Sequence, residues 1–192
     1  MSLSLRKWKA ERLTVLGELD AARKGLDASK SKRGRRFAVQ QIHQAYVLLL
    51  ASHFQGFCRD LHDECADFFV QTVPSGLVRN AVRIALVFGR KLDSGNANPG
   101  NLGSDFGRFG LAFWPAMLQL DERNEGWKKS LDAMNIWRNA VAHQHFDPTK
   151  LGGTTIRLPL LREWRGACDG LAATFDGVMR SHLETVNGSV PW

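Results

Sequence analysis

The chain has 192 residues, 44% hydrophobic and 23% charged: enough apolar material for one core, and too much for a disordered segment. Its net charge of +7 and pI near 9.7 favour polyanionic partners, nucleic acid above all, although such an excess also serves plain solubility. No apolar run approaches the roughly 20 residues that span a bilayer, charge stands where a leader needs an apolar stretch, and the three cysteines contain no C-x-x-C, so a cytoplasmic protein is expected, without membrane contact, disulfide framework or zinc knuckle.

Residues 3–29 predict a charged amphipathic helix, with Leu13, Leu16, Leu19 and Ala22 at helical spacing and Arg6, Lys7, Lys9, Glu11 and Arg12 as polar decoration. Residues 30–36 break it. There Lys32, Arg33, Arg35 and Arg36 form a basic connection suited to RNA phosphates, or a merely solvated link between helices. Residues 37–73 carry the longest helical pattern, whose apolar face includes Ile42, Tyr46, Leu50, Phe54, Phe57, Leu61 and Phe68. Cys58 and Cys65 fall on one face as core thiols, His53 and His62 read as core or boundary histidines, and Gly56 is a place for close helix approach.

Pro74, Ser75 and Gly76 stop this helix, and residues 77–92 predict a third. Residues 93–103, rich in Gly, Asn, Ser and Pro, predict a glycine-rich loop insert, the segment most given to motion. Residues 106–120 are apolar, but Gly107, Gly110 and Pro115 keep any helix short or kinked. Residues 121–145 predict a helix closed by Asp147 and Pro148. Residues 154–158 allow one extended stretch, but a lone strand would have no partner here, and residues 159–186 return to helical spacing with Pro159 in the first turn. The expected fold class is all-α: an irregular antiparallel helical bundle forming one domain over residues 1–192.

The informative segment is residues 135–145, Asn-Ile-Trp-Arg-Asn-Ala-Val-Ala-His-Gln-His. At about 100° per helical residue, Arg138 and His143 differ by about 140° in direction, whereas Asn139 and His143 share a face. Arg138 falls on a stripe with Leu131, Met134, Val141, Ala142 and His145, where a guanidinium is unfavourable unless it meets an anion or a partner surface. His143 and His145 differ by about 200°, so no shared metal ion, and no cofactor, is expected.

Arg138-Asn139, three further residues and His143 resemble the R-x-x-x-x-H motif of the HEPN superfamily. The run from Tyr46 to Phe57, followed by Arg59, Asp60 and Leu61, is similar to the central helix of the RiboL-PSP-HEPN branch. The resemblance covers about residues 37–145 and implies a HEPN-type bundle. Two features depart from it. Gln55 stands where that branch often has an acidic residue, for which Asp60 is the available substitute, and the insert at residues 93–103 lies outside the minimal pattern.

The resemblance implies a metal-independent endoribonuclease. His143 takes the ribose 2′-OH proton as that oxygen attacks phosphorus, Arg138 neutralises charge on the phosphoryl oxygens, and Asn139 holds the imidazole or a phosphate oxygen. The products are a 2′,3′-cyclic phosphate and a 5′-hydroxyl, and DNA is spared. His145 joins Lys32, Arg33, Arg35 and Arg36 as RNA contacts. HEPN ribonucleases generally pair as homodimers with a composite active site, for which Trp137 and Val141 are interface candidates unless they are ordinary core. Such an enzyme fits a toxin or phage-defence effector with an antitoxin or regulatory protein partner. The same residues admit a non-catalytic HEPN module binding RNA, a nucleotide or a protein. They also admit a helical scaffold in which Arg138 pairs with a buried acid.

Overall fold

The computed structural model describes residues 1–27, 32–74 and 76–192, and the side chains of residues 26–35 and 75 lie outside that description. The order is α1 (Leu3–Lys7), a π-helical turn (Trp8–Arg12), α2 (Leu13–Asp27), α3 (Lys32–Phe69), a 3₁₀ turn (Val70–Thr72), α4 (Gly76–Val87), α5 (Lys91–Ser94), α6 (Pro99–Phe106), a 3₁₀ turn (Gly107–Phe109), α7 (Phe113–Leu120), α8 (Asn124–His143), α9 (Pro148–Leu151) and α10 (Leu158–Asn187). No strand occurs among the described residues, so the architecture is all-α. None of the described helices is long and apolar enough to cross a membrane.

The 38 residues of α3 make it the spine, about 57 Å long at 1.5 Å per residue. It meets α1, α2, α4, α5, α6, α8 and α10. Val47, Leu50, Phe54, Phe57, Cys58, Leu61 and Cys65 recur at three- and four-residue steps and are all fully buried. Trp8 lies edge-on to Phe54, with ring centres 5.8 Å apart, and its indole N–H donates to Asp169 on α10. Phe175 of α10 joins this group to Phe106 and Phe113, which stack at 4.7 Å. Cys58, Cys65 and Cys168 are free and buried, and burial pushes all three thiols well up in pKa, as core thiols require.

Two sequence expectations are corrected. α3 begins at Lys32, so Lys32, Arg33, Arg35 and Arg36 stand on its opening turns and not in a connecting loop. An isolated Gly34 costs a helix only about 1 kcal/mol, and the flanking Arg and Lys are good helix formers. The predicted insert at residues 93–103 is mostly helical: α5 ends at Ser94 and α6 starts at Pro99. The Asn98 side chain accepts the Asn101 N–H and Pro99 occupies the first turn, so the composition that reads as loop is that of a helix start.

Candidate functional site

α8 buries Leu131, Met134, Asn135, Trp137, Ala140 and Val141 against the core, and α10 is one of its chief neighbours. Its C-terminus closes at Gln144, a non-glycine residue with φ of 51°. The His145 N–H donates to Ala140 O at 3.0 Å and the Gln144 N–H to Val141 O at 3.3 Å, the paired bonds of a left-handed helix stop. The Gln144 side-chain amide also donates to Val141 O at 2.8 Å.

Just before this stop stand the three predicted catalytic residues. Arg138 is half-exposed, while Asn139 and His143 are exposed. Arg138 Nη1 donates to Asn139 Oδ1 at 3.1 Å. This bond goes to a carboxamide and leaves the guanidinium out of the core, which removes the scaffold reading of a buried Arg138–carboxylate pair. Asn139 and His143 share a groove of about 300 Å³ with Ile136, Ala140, His145, Asp147, Lys150 and Leu151. Arg138 does not line it. Within one chain, Asn139 therefore touches the guanidinium and the His143 groove alike, but Arg138 and His143 do not face each other across it.

His145 enters this groove although helical geometry sets it far from His143. The reason is the left-handed turn at Gln144, which ends the 100° progression and brings the chain back over the helix end. The groove carries His143, His145 and Lys150 as basic groups. Its one carboxylate, Asp147, accepts the Thr149 and Lys150 N–H groups as the cap of α9. Among the described residues, no group of three or more His, Cys, Asp or Glu is placed to hold a metal ion.

Other predicted residues lie elsewhere. Arg36 is exposed at the start of α3 and outside the groove, and the side chains of Lys32, Arg33 and Arg35 fall outside the described residues. Asp60, the acid named above as available near Gln55, is already paired with a cation. Arg12 reaches it at 2.6 Å, lying over Gly56, where an added Cβ would stand 3.2 Å from the guanidinium. Gly56 thus admits an arginine side chain rather than a helix backbone. Asp63 pairs with the buried Arg90. Trp137 and Val141 are each 4% exposed within this chain, so they are core and not free interface residues. The exposed apolar neighbours of the motif are Ile136, at 41%, and Ala142.

Sequence reasoning missed Asn96. Its amide Nδ2 donates to Asn139 Oδ1 at 2.7 Å, from the connection between α5 and α6. The only local signal was its membership of an asparagine-rich segment, which does not name a partner 43 residues away.

Searches against family models, curated proteins and solved structures find no match to this chain.

Proposed function

We propose that this chain is a HEPN-type endoribonuclease that cuts RNA without a metal, using Arg138, Asn139 and His143. The carrying observation is Asn139. Its Oδ1 holds the Arg138 guanidinium while its side chain borders the His143 groove. A donor fork for phosphate and a base for the 2′-OH thus flank one amide at an exposed helix end.

In the proposed reaction, His143 takes the 2′-OH proton while O2′ bonds to phosphorus and the P–O5′ bond breaks. The departing O5′ takes a proton from solvent. Arg138 matches the phosphoryl oxygens in a planar fork, and negative charge building on them strengthens those bonds in the transition state. His145 and Lys150 attract the flanking phosphates. A second copy facing the same helix end would bring its Arg138 to this groove and cover the exposed Ile136, giving a homodimer with a composite site. An antitoxin or other regulatory protein, in a toxin or phage-defence setting, would act by covering the groove.

The test is RNA incubated with the chain in excess chelator. The expected fragments end in 2′,3′-cyclic phosphate and begin with 5′-hydroxyl, and DNA of the same sequence stays intact. His143→Ala abolishes cutting and keeps the helical circular dichroism. Tight RNA binding without cleavage, in a verified dimer, would instead support a non-catalytic HEPN module. Arg138 stands outside the groove of its own chain, so a chain that stays monomeric fits that second reading.

A further inference from the structure

The connection between α5 and α6 is held by three carboxamide side chains on three successive carbonyls. Gln55 of α3 donates to Gly95 O at 2.8 Å, Asn101 of α6 to Asn96 O at 2.7 Å, and Asn135 of α8 to Ala97 O at 3.2 Å. The Gln55 amide uses its second hydrogen on Leu92 O, also at 2.8 Å. Gly95 is closely packed here: a Cβ would stand 2.9 Å from Asn101 Nδ2 and 3.2 Å from Lys91 O, so the Asn101 amide would have to shift. A four-residue link that would otherwise sample many conformations is thereby held to one. The side chain it presents is Asn96, aimed at Asn139.

The polarity of this contact is settled by Arg138. A guanidinium only donates, so the Asn139 atom facing it is Oδ1. Asn96 approaches the same oxygen and must present its NH₂. With Oδ1 accepting twice, the Asn139 Nδ2 hydrogens have no acceptor among the described residues, and Asn139 borders the groove with His143. A donor there suits an anionic phosphate oxygen, whereas a flipped amide would repel it.

We infer that Gln55 and Asn96 are positioning residues for the groove: Gln55 holds the connection so that Asn96 keeps the Asn139 amide turned donor-outward. This rests on the ribonuclease reading only for its catalytic consequence. It also explains the amide at position 55. A carboxylate there would set acceptor against acceptor at Leu92 O and Gly95 O, because it has no proton to donate.

The experiment compares Gln55→Glu and Asn96→Ala with the unaltered chain by two readouts. The first is the Asn139 side-chain NH₂ resonance in a ¹⁵N correlation spectrum, assigned by its loss in Asn139→Ala. Both variants should move it toward the position of a free asparagine while backbone signals of the core stay put. An Asn139 resonance unmoved in Gln55→Glu and in Asn96→Ala overturns the inference. The second is RNA cleavage, where kcat should fall roughly tenfold to a hundredfold with KM unchanged, because orientation is used in the transition state. Normal kcat in both variants also overturns it. If the unaltered chain cuts no RNA, the ribonuclease reading fails by itself, and the Asn139 resonance still decides whether Gln55 and Asn96 hold that amide.

Discussion

Gly170 of α10 lies beneath the indole of Trp127 on α8: a Cβ on Gly170 would stand 2.6 Å from both Cη2 and Cζ2 of the ring. The motif helix therefore rests on α10 at a point where no side chain fits. Gly170→Ala must displace the indole, and overpacking of this kind destabilises by about 1–3 kcal/mol, against at most about 1 kcal/mol regained in helix propensity. Chemical denaturation should show a net loss. Unchanged stability would mean the two helices do not meet as described.

The composite-site proposal makes a complementation prediction. Arg138→Ala and His143→Ala are each inactive alone. Mixed and re-equilibrated, about half the dimers carry one of each, and one of their two sites is whole if Arg and His come from different copies, so roughly a quarter of full activity returns. No recovery in verified heterodimers places both residues of a site on one chain.

Stability should fall in acid through His62. Its Nε2–H donates to Asp105 O at 3.1 Å and its Nδ1 accepts from Arg90 Nη1 at 3.3 Å, which leaves no place for a second proton. Burial is the main cause that lowers its pKa from 6.5 to about 4; Arg90 adds to the shift, and Asp105 and Asp63 oppose it. The unfolded imidazole binds a proton in this window and the folded one does not. The contribution is therefore complete above pH 6.5, is lost as pH falls toward about 4, and is on the order of 3 kcal/mol. Urea midpoints across that range should decline, and His62→Gln should flatten the decline.

Gln144 supplies a third stability test. A β-branched residue tolerates φ near 51° worst, so Gln144→Val should lose about 1–2 kcal/mol and shift His145 in the groove. Gln144→Gly removes the strain and forfeits the side-chain bond to Val141 O, so it should stay within about 1 kcal/mol of the unaltered chain. Equal stabilities for the Val and Gly variants would contradict a left-handed stop at this residue.

Much of the helical layout was legible in residue order alone. The apolar spacing of Tyr46, Leu50, Phe54, Phe57 and Leu61 does mark the buried face of α3, and Pro159 does open α10. These signals are local, because helical period and the lack of a proline N–H act within a few residues. Misreadings arose where two local meanings share one composition. Gly, Asn, Ser and Pro near residues 93–103 look like a loop and serve as helix starts, and the basic residues 32–36 look like a link and open a helix.

By itself the sequence determined that the chain is helical, that its cysteines are core, and that Arg138, Asn139 and His143 end one helix. Only the tertiary structure decided that Arg12 occupies Asp60, that His145 returns to the His143 groove, that Gln55 bonds the carbonyls of Leu92 and Gly95, and that Asn96 bonds Asn139. The physical reason is range. Backbone preferences are written in neighbouring residues, whereas the partner of a carboxamide or a guanidinium is whichever complementary group the packed helices bring within about 3 Å.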